Sequence, residues 1–261
     1  MLKIRLIPVL LLKEGFVVKS INFSKFQSTG NPFEEVERFN QWQVDELIFL
    51  NISEKKNEYS FRNDSSLDSN ISYLNLIKKV NKNCFMPLTW GGAIRSFEEI
   101  EKILISGADK ISLNTLVVTK PELVKKTIKI FGSQVIVASV DVKKRNDDYL
   151  VFINNGKEET GINIEEWIKR VDKLNVGEIL IQSIDRDGLA TGYDINLLKK
   201  VKKLTDLRVT FLGGVGKYED FVDAAKNGAS GLAAANIWHY KEMVDLNAKK
   251  ILSEHNINVR K

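Results

Sequence analysis

Short hydrophobic runs rich in β-branched residues alternate with amphipathic segments along the whole chain. In the amphipathic segments apolar residues recur at helical spacing, whereas the short runs have the length of buried strands. The pattern predicts eight strands: Ile4–Leu11, Glu46–Asn51, Phe85–Trp90, Lys110–Asn114, Gln134–Asp141, Glu178–Ile184, Arg208–Leu212 and Gly231–Ala235. It also predicts eight helices: Phe33–Gln41, Ile71–Val80, Phe97–Ile105, Pro121–Ile130, Ile164–Leu174, Asn196–Leu204, Tyr218–Asn227 and Tyr240–His255.

The strands and helices form eight successive units that average about 33 residues each over the 261-residue chain. This is the unit length of a parallel sheet with helical crossovers, and eight such units close a barrel. We therefore predict one α/β domain over residues 1–261, a (β/α)8 TIM barrel. A polar loop from Ser53 to Asn70 and a hairpin from Lys144 to Lys157 interrupt the alternation. Both follow strand C-termini, where such barrels carry their functional loops.

The two halves of the chain repeat each other. The first motif combines Gly91-Gly92-Ala93 with Asn114-Thr115. The second combines Gly213-Gly214-Val215 with Ala235-Asn236, and its glycine pair lies 122 residues after that of the first. The segment Val9–Lys13 aligns in the same way with Ser139–Lys143, which pairs Leu11 with Asp141. A barrel built from two similar halves explains these offsets.

The composition is typical of a soluble globular protein, with 43% hydrophobic and 28% charged residues. The formal net charge is +5, but the lysines are scattered and form no basic stripe interleaved with aromatic residues. A solvated, lysine-rich surface accounts for this charge better than a nucleic-acid site does. We therefore expect no nucleic-acid partner.

Cysteine usage and the N-terminal apolar run favour a reduced, cytoplasmic setting. Cys84 is the only cysteine, which excludes a disulfide within the chain and a cysteine-based zinc site. Leu6–Leu12 is seven residues long, far short of the ~20 that a membrane span needs, and predicts a buried strand. His239 and His255 have no second histidine or cysteine nearby, so we expect no metal site. We also expect no cofactor and no membrane association.

The repeated glycine pairs predict phosphate binding. A glycine pair at a strand C-terminus, Gly91-Gly92 or Gly213-Gly214, lets a ligand approach the backbone closely, and the next helix start offers unpaired N–H groups. A tight turn between strand and helix is the alternative for each pair alone. Their repetition, with Asn114-Thr115 after the next strand, favours a site for two phosphates about a barrel's width apart.

Acidic residues at the same rim could supply acid or base chemistry. Asp141 ends the fifth predicted strand, so its carboxylate should point into the mouth of the barrel, where burial could raise its pKa. Asp187 follows the sixth strand, and structural capping of its loop is the alternative for it.

Four charged residues fall at the beginnings of predicted strands, at the opposite end of the barrel: Arg5, Glu46, Lys110 and Glu178. They could form a paired charged layer across the barrel axis. Ordinary surface charge at strand starts is the simpler interpretation from these residues alone.

The chain resembles the cyclase subunit of imidazole glycerol phosphate synthase, from histidine biosynthesis. The segments that carry this resemblance are Lys13–Lys19, Asp45–Leu50, Gly107–Thr115, Phe131–Gln134 and Ser183–Gly188, and the match covers nearly the whole chain. The resemblance implies a (β/α)8 barrel with a separate glutaminase subunit docked at its bottom face. Ammonia released there would travel up the axis to a phosphorylated substrate, on which the family performs lyase and ring-closing chemistry.

The resemblance also assigns roles to individual residues. The four charged residues at the strand starts match the family's ammonia gate one for one, which overrides the surface-charge interpretation. Lys19 matches a mobile-loop lysine, and Asp141 matches one of two catalytic aspartates. The phosphate-binding positions implied are Gly92, Asn114, Thr115, Asp187, Gly188, Gly213, Gly214 and Ala235, with Ala93 and Asn236 where the family usually has Gly and Ser.

The second catalytic aspartate is replaced by Leu11, which cannot transfer a proton. We expect that four further departures from the family also alter the mouth of the barrel: Asn51, Trp90, Gln182 and Leu212. The leading hypothesis is a divergent paralogue that receives ammonia from a glutaminase and delivers it to another acceptor.

Three functional hypotheses follow from this contrast. Members resembling this chain occur with amidotransferases of surface-sugar biosynthesis, so an amidino surface sugar in polysaccharide biosynthesis is the leading acceptor. The alternative is a histidine-pathway cyclase that uses Asp141 alone and makes imidazole glycerol phosphate and the aminoimidazole carboxamide ribonucleotide. The third hypothesis is a non-catalytic scaffold that activates a glutaminase.

Overall fold

A computed structural model of the protein describes residues 3–42, 44–53, 59–60, 70–146 and 148–260. Its strands are β1 (Arg5–Lys13), β2 (Phe16–Ile21), β3 (Lys25–Gly30), β4 (Leu47–Asn51), β5 (Tyr59–Ser60), β6 (Asn70–Ile71), β7 (Leu88–Gly91), β8 (Lys110–Leu113), β9 (Ile136–Arg145), β10 (Asp148–Ile153), β11 (Glu158–Asn163), β12 (Glu178–Ser183), β13 (Val209–Leu212) and β14 (Gly231–Ala234). Its helices are α1 (Pro32–Trp42), α2 (Tyr73–Asn83), α3 (Phe97–Ile105), α4 (Thr115–Thr119), α5 (Pro121–Phe131), α6 (Ile164–Leu174), α7 (Ile195–Lys202), α8 (Tyr218–Lys226) and α9 (Val244–Glu254).

Eight parallel strands close into a barrel. Their order around the axis is β1, β4, β7, β8, β9, β12, β13 and β14, and β14 pairs with β1 to complete the ring. Helices pack around the outside and cover the outward faces of the strands. The predicted (β/α)8 TIM barrel is confirmed.

The strand sequences alternate between two apolar layers because successive side chains point to opposite faces of a strand. On β1, Leu6, Leu10 and Leu12 pack in the large outer core beneath the helices, whereas Val9 and Leu11 belong to a separate inner cluster. Further members of that inner cluster are Ile7, Val18, Ile48, Val137, Leu180, Leu212 and Ala233. Side chains inside the barrel are thus stacked along its axis, between its N-terminal and C-terminal ends.

Two antiparallel extensions rise from the C-terminal end of the barrel. The first, β2 paired with β3, was not predicted, because its second strand is polar and largely exposed and lacks a hydrophobic alternation. The second lies where the hairpin from Lys144 to Lys157 was predicted, but a further strand, β11, extends it to Asn163. Most of the predicted polar loop lies outside the described residues; within it, Tyr59–Ser60 pairs with Asn70–Ile71.

Predicted helix bounds are accurate where caps and periodicity agree. Helices α3 and α6 have the predicted limits, and each begins after a cap whose side chain accepts a backbone hydrogen bond, Ser96 and Asn163. The last helix begins at Val244 and not at Tyr240, since Met243 before it adopts a left-handed φ of 49°. In the described part of the chain, the helices are all too short or too polar to span a lipid bilayer.

Candidate functional site

A cavity of about 600 Å³ opens at the C-terminal ends of the barrel strands, the end we call the mouth. Its floor includes side chains that point inward from the strands, among them Leu11, Leu50, Ser139 and Asp141. Backbone and side chains of the surrounding loops form its walls. This is the end at which enzymes of this architecture carry out their chemistry.

Asp141 is the buried acid of this cavity. It lies near the end of β9, in register with Gln182 on β12, and both side chains line the cavity. Burial, with a smaller contribution from the Asp187 carboxylate, raises the pKa of Asp141 to about 7. A group that titrates there can hold or release a proton near neutral pH, as a general acid or base must.

The cavity around Asp141 is apolar on one side. Leu11 from β1, Leu50 from β4 and Ile52 after it all line the cavity. Leu11 is 5% exposed and packs in the inner cluster. Leu11 therefore presents hydrocarbon to the cavity that Asp141 shares.

Of the four further departures expected to alter the mouth, one lines the cavity, one lies in the barrel interior and two face outward. Gln182 lines the cavity and Leu212 belongs to the inner cluster. Trp90 instead points outward, where its ring stacks on Phe49 with centroids 4.7 Å apart. Asn51 is one of the alternate residues of β4 whose side chains face outward. Its Oδ1 accepts a hydrogen bond from the Ser53 amide at 3.0 Å. For these two residues the expectation was wrong, because strand alternation turns them toward the helices.

The predicted phosphate positions of the N-terminal half lie together at the cavity wall: Gly92, Ala93, Asn114 and Thr115. Gly92 and Ala93 both adopt positive φ, 82° and 52°, which turns the backbone sharply at the end of β7. The buried amide atoms Nδ2 and Oδ1 of Asn114 have no hydrogen-bond partner among the residues that the structure describes. Asn114 can therefore donate a hydrogen bond to a ligand at this wall.

The corresponding positions of the C-terminal half do not line the cavity: Asp187, Gly188, Gly213, Gly214, Ala235 and Asn236. The hairpin formed by β2 and β3 contacts three of them, Asp187, Gly188 and Asn236. Asp187 and Asn236 both hydrogen-bond to that hairpin, through Ser20. The sequence repeat predicts two equivalent sites, but the structure brings only the first to the cavity.

Lys19, predicted to be catalytic with Asp141, lies on β2 and outside the cavity lining. Its Nζ donates to the Tyr240 hydroxyl at 2.6 Å and lies 4.7 Å from the centre of that ring. The structure thus holds Lys19 at the outer rim, away from the cavity to which Asp141 belongs.

The four charged residues at the strand starts form a closed ring of ion pairs at the bottom of the barrel. Arg5 Nη1 lies 2.8 Å from Glu46 Oε1, and Arg5 Nη2 lies 2.5 Å from Glu178 Oε1. Lys110 Nζ completes the ring, 3.0 Å from Glu46 Oε2 and 3.4 Å from Glu178 Oε2. Each cation bridges both carboxylates, so the four side chains surround a common axis and are not separate surface charges.

The whole chain matches known proteins. The family described as histidine biosynthesis protein matches residues 5–244. Proteins named imidazole glycerol phosphate synthase subunit HisF match end to end. They include those of Hydrogenobaculum sp. (40% identical, all of both chains), Natranaerobius thermophilus (38%, all of both chains) and Thermotoga sp. (36%, all of this chain and 98% of the relative). The chain belongs to the HisF family.

The family match spans the entire candidate site. It begins at Arg5, a member of the bottom ring, and extends past Asn236, the last candidate phosphate residue. Relatives in the HisF family align with this chain over their full lengths or nearly so. The ring, the inner cluster and the cavity therefore belong to one family architecture.

Sequence reasoning missed several residues of the cavity wall. Lys13, Arg95, Lys120 and Lys157 line the cavity, and Asp141 is the only carboxylic acid among the described lining residues. For Lys13 a signal existed, since it continues the inward parity of Leu11 on β1. Lys157 sits in a turn of the second extension, and no sequence pattern indicated that this turn reaches the mouth.

Proposed function

We propose that this chain is the ammonia-receiving synthase subunit of a glutamine amidotransferase. In this proposal it delivers glutaminase-derived ammonia to an acceptor other than the histidine-pathway substrate. One contrast carries the proposal: the ring of charges at the bottom retains all four members, whereas at the mouth Asp141 shares its cavity with Leu11.

The loss of the second carboxylate argues against ring closure. By its resemblance to the family, the position of Leu11 is one of two catalytic aspartates. Proton transfer by a positioned side chain contributes about 10²- to 10⁴-fold to a rate. A leucine cannot make that contribution, and a lone Asp141 cannot act as acid and base at two separate atoms at once.

The interior between ring and mouth suits a neutral nitrogen donor. Side chains from Val9 through Leu180 to Leu212 form one apolar cluster along the axis. A charged ammonium ion pays a large penalty in such surroundings, whereas neutral ammonia does not. Passage along the axis would therefore select ammonia and exclude ammonium.

The bottom face offers a surface for the glutaminase. Phe85, in the loop before β7, is 86% exposed, and Ile105, the last residue of α3, is 75% exposed. Large exposed apolar side chains are typical of surfaces that bind another protein. In the proposed heterodimer the glutaminase covers this face and releases ammonia next to the ring.

The acceptor that we favour is a surface sugar converted to an amidino sugar, in keeping with the family members that this chain resembles. An amidino group forms when ammonia adds to the carbon of a carboxamide whose oxygen carries a phosphoryl or nucleotidyl group from a nucleoside triphosphate. The C–O bond then breaks, and the oxygen leaves with that activating group. Such chemistry needs a source of ammonia but not the ring closure for which the family uses two aspartates.

The test is the reaction of the purified chain with a glutaminase subunit from the same organism. We expect glutamine hydrolysis to be stimulated and imidazole glycerol phosphate formation to be at least about 100-fold slower than in the Hydrogenobaculum relative. Leu11→Asp should raise ring closure about tenfold or more, whereas Leu11→Asn, which lacks an ionisable group, should not. Ring closure by the unchanged chain at the relative's rate would refute the proposal.

The second candidate function is the histidine-pathway cyclase itself. It is favoured by the full-length identity of 36–40% to proteins that bear the name imidazole glycerol phosphate synthase subunit, and by the pKa of Asp141, which suits a proton-transfer group near neutrality. Growth of a histidine auxotroph that lacks its own cyclase decides between the two candidates. Rescue by the unchanged chain selects the cyclase, and rescue by Leu11→Asp alone selects the divergent subunit.

A further inference from the structure

A turn of the second extension crosses the mouth of the barrel. We call this turn, residues 154–157 between β10 and β11, the strap. Its residues Asn154, Asn155 and Lys157 line the cavity, whose floor holds Asp141. The extension to which the strap belongs is a continuation of β9. Because the strap stands beyond the C-terminal ends of the strands, it lies across the cavity from that floor.

Contacts place the strap over the barrel axis. In the ring of eight strands, β1 lies directly opposite β9, and β4 is the neighbour of β1. A Cβ added to Gly156 would lie 2.7 Å from the ring of Phe23, in the hairpin that follows β1. Asn155 Nδ2 donates to the carbonyl of Ile52, the residue after β4, at 3.4 Å. A segment that starts from β9 and reaches both of these loops passes over the axis.

The contacts at the far side of the mouth are weak. The hydrogen bond from Asn155, and one from the Asn154 amide to the Thr115 hydroxyl at 3.3 Å, are both exposed to solvent. Both are longer than the ordinary length of about 2.9 Å. Water replaces such bonds at little cost when they break. The strap can therefore leave the far side of the mouth without unfolding the barrel.

The local sequence fixes the shape of the strap. Asn154, Asn155 and Gly156 all have positive φ, of 53°, 58° and 72°. Asn and Gly tolerate this left-handed region better than other residues do, and they are the residues of tight hairpin turns. The strap thus keeps its shape through its own sequence and does not need the contacts at the far side to form.

A β-bulge separates the strap from the root of the extension. The pairing of β10 with β11 shifts between Leu150 and Phe152, and Gly161, with a φ of 73°, lies in the corresponding stretch of β11. Val151 at the bulge packs in the outer core, whereas Phe152 and Ile153 belong to neither apolar cluster of the described residues. The bulge is therefore the joint between a root fixed to the core and a strap that is not.

We propose that the strap is a lid hinged at this bulge, which moves aside to admit the ammonia acceptor and then closes over it. The inference deepens the proposed function, on which it rests in taking the mouth as the place where ammonia meets its acceptor. In water at neutral pH, ammonia gains a proton and loses the electron pair with which it attacks carbon. A lid across the axis keeps water out of the cavity and ammonia in it until the acceptor has reacted.

The experiment measures how fast a thiol inside the cavity reacts with bulky fluorescein maleimide. Leu50→Cys supplies the thiol at the cavity wall. Cys84, before β7 at the bottom of the barrel, is the internal reference, and peptide mass spectrometry separates the two. Adding Asn155→Ala removes the contact with the Ile52 carbonyl and should raise the labelling rate at position 50 about tenfold. Gly156→Ala, whose methyl group would collide with the Phe23 ring, should raise it as well.

Two controls separate an opening lid from a loosened protein. Asn146→Ala also replaces an asparagine of left-handed φ, 52°, but in the turn between β9 and β10 and outside the described cavity lining. It should leave the rate at position 50 unchanged. Methyl methanethiosulfonate, a small reagent that passes beside the strap, should react equally fast with and without Asn155→Ala.

The inference is overturned if fluorescein maleimide labels position 50 equally fast with and without the two strap substitutions. It is also overturned if Asn146→Ala speeds labelling as much as they do, or if the small reagent gains as much as the bulky one. These measurements need neither glutaminase nor ammonia. Their failure leaves the ammonia-delivery proposal standing, and failure of glutaminase stimulation leaves the strap as the entrance to the cavity.

Discussion

Each end of the barrel buries a carboxylate to nearly the same degree, but the pKa of that carboxylate is lowered at the bottom and raised at the mouth. Glu178 at the bottom is 6% exposed and Asp141 at the mouth is 8% exposed. Burial alone would raise the pKa of Glu178, but hydrogen bonds and charge from Arg5, and charge from Lys110, bring it below its ordinary value. Burial raises the pKa of Asp141 to about 7, and the neighbouring Asp187 adds to the rise. Partners, and not depth, decide whether a buried acid stays charged.

Breaking the bottom ring should have the largest effect. Glu178→Ala leaves the Arg5 and Lys110 cations with one carboxylate between them, and we expect it to lower the free energy of unfolding by about 3–5 kcal/mol in urea titrations. Because the pKa of Glu178 is lowered in the folded state, its contribution is present above the ordinary glutamate pKa. It is lost as the pH falls through the folded-state pKa.

The control is an ion pair in solvent. Glu166 pairs with Arg170 on the surface of α6, with half of each side chain exposed. Glu166→Ala should cost less than about 1 kcal/mol. If Glu178→Ala cost no more than this control, the ring would be equivalent to surface charge.

Removing the Asp141 carboxylate at the mouth should raise the free energy of unfolding, which is the opposite of the effect expected for Glu178→Ala. Between about pH 4 and pH 7 the folded chain holds a proton on Asp141 that the unfolded chain has already released. The free energy of unfolding therefore falls as the pH rises across this window. Asp141→Asn cannot ionise, and at pH 8 it should be more stable than wild type by up to about 4 kcal/mol. At pH 4 the difference should nearly vanish.

Urea unfolding at several pH values measures this difference. Asp206→Asn, which changes an exposed loop carboxylate, serves as the control and should show no such pH-dependent gain. A gain for Asp141→Asn that was equal at pH 4 and pH 8 would mean that the pKa of Asp141 is the same in the folded and unfolded chains, and the contrast between the two ends would fail.

Partner binding should distinguish the ends with a smaller effect. Phe85→Glu places a charge on the bottom face, and we expect it to weaken binding of the glutaminase about tenfold, near 1.4 kcal/mol, in calorimetric titration. Leu246→Glu is the control, because Leu246 is also exposed, at 58%, but lies in the first turn of α9, after the C-terminal end of β14. Equal weakening by both variants would contradict docking at the bottom.

Much of the fold could be predicted because the spacing of hydrophobic residues within short segments distinguishes its strands from its helices. All eight barrel strands and the helices between them are present, and α3 and α6 have the predicted limits. The hairpin of β2 and β3 escaped prediction because its exposed strand Lys25–Gly30 needs no hydrophobic alternation to pair. The strand is held by its neighbour β2, and the turn between them is held by Asp187, which is remote in sequence.

The site was predictable only in part, for a physical reason. Strand parity places Asp141 and Arg5 on the axis, and both are found there. The same parity, applied to β4 and β7, would have turned Asn51 and Trp90 away from the mouth. The alternation of side chains along strands does not reveal that Lys19 bonds to Tyr240, or that Ser20 of the β2–β3 hairpin bonds to Asp187, since these contacts depend on how loops pack.

Strand β1 crosses the molecule from one functional end to the other. Arg5, Val9, Leu11 and Lys13 share one parity, so a single extended segment supplies the ring, the interior and the cavity wall. Insertion or deletion of one residue within it would exchange the inward and outward side chains of everything beyond that point. Substitutions can therefore change either end of this strand independently, whereas a change of one residue in its length would turn the side chains of one end away from the barrel axis.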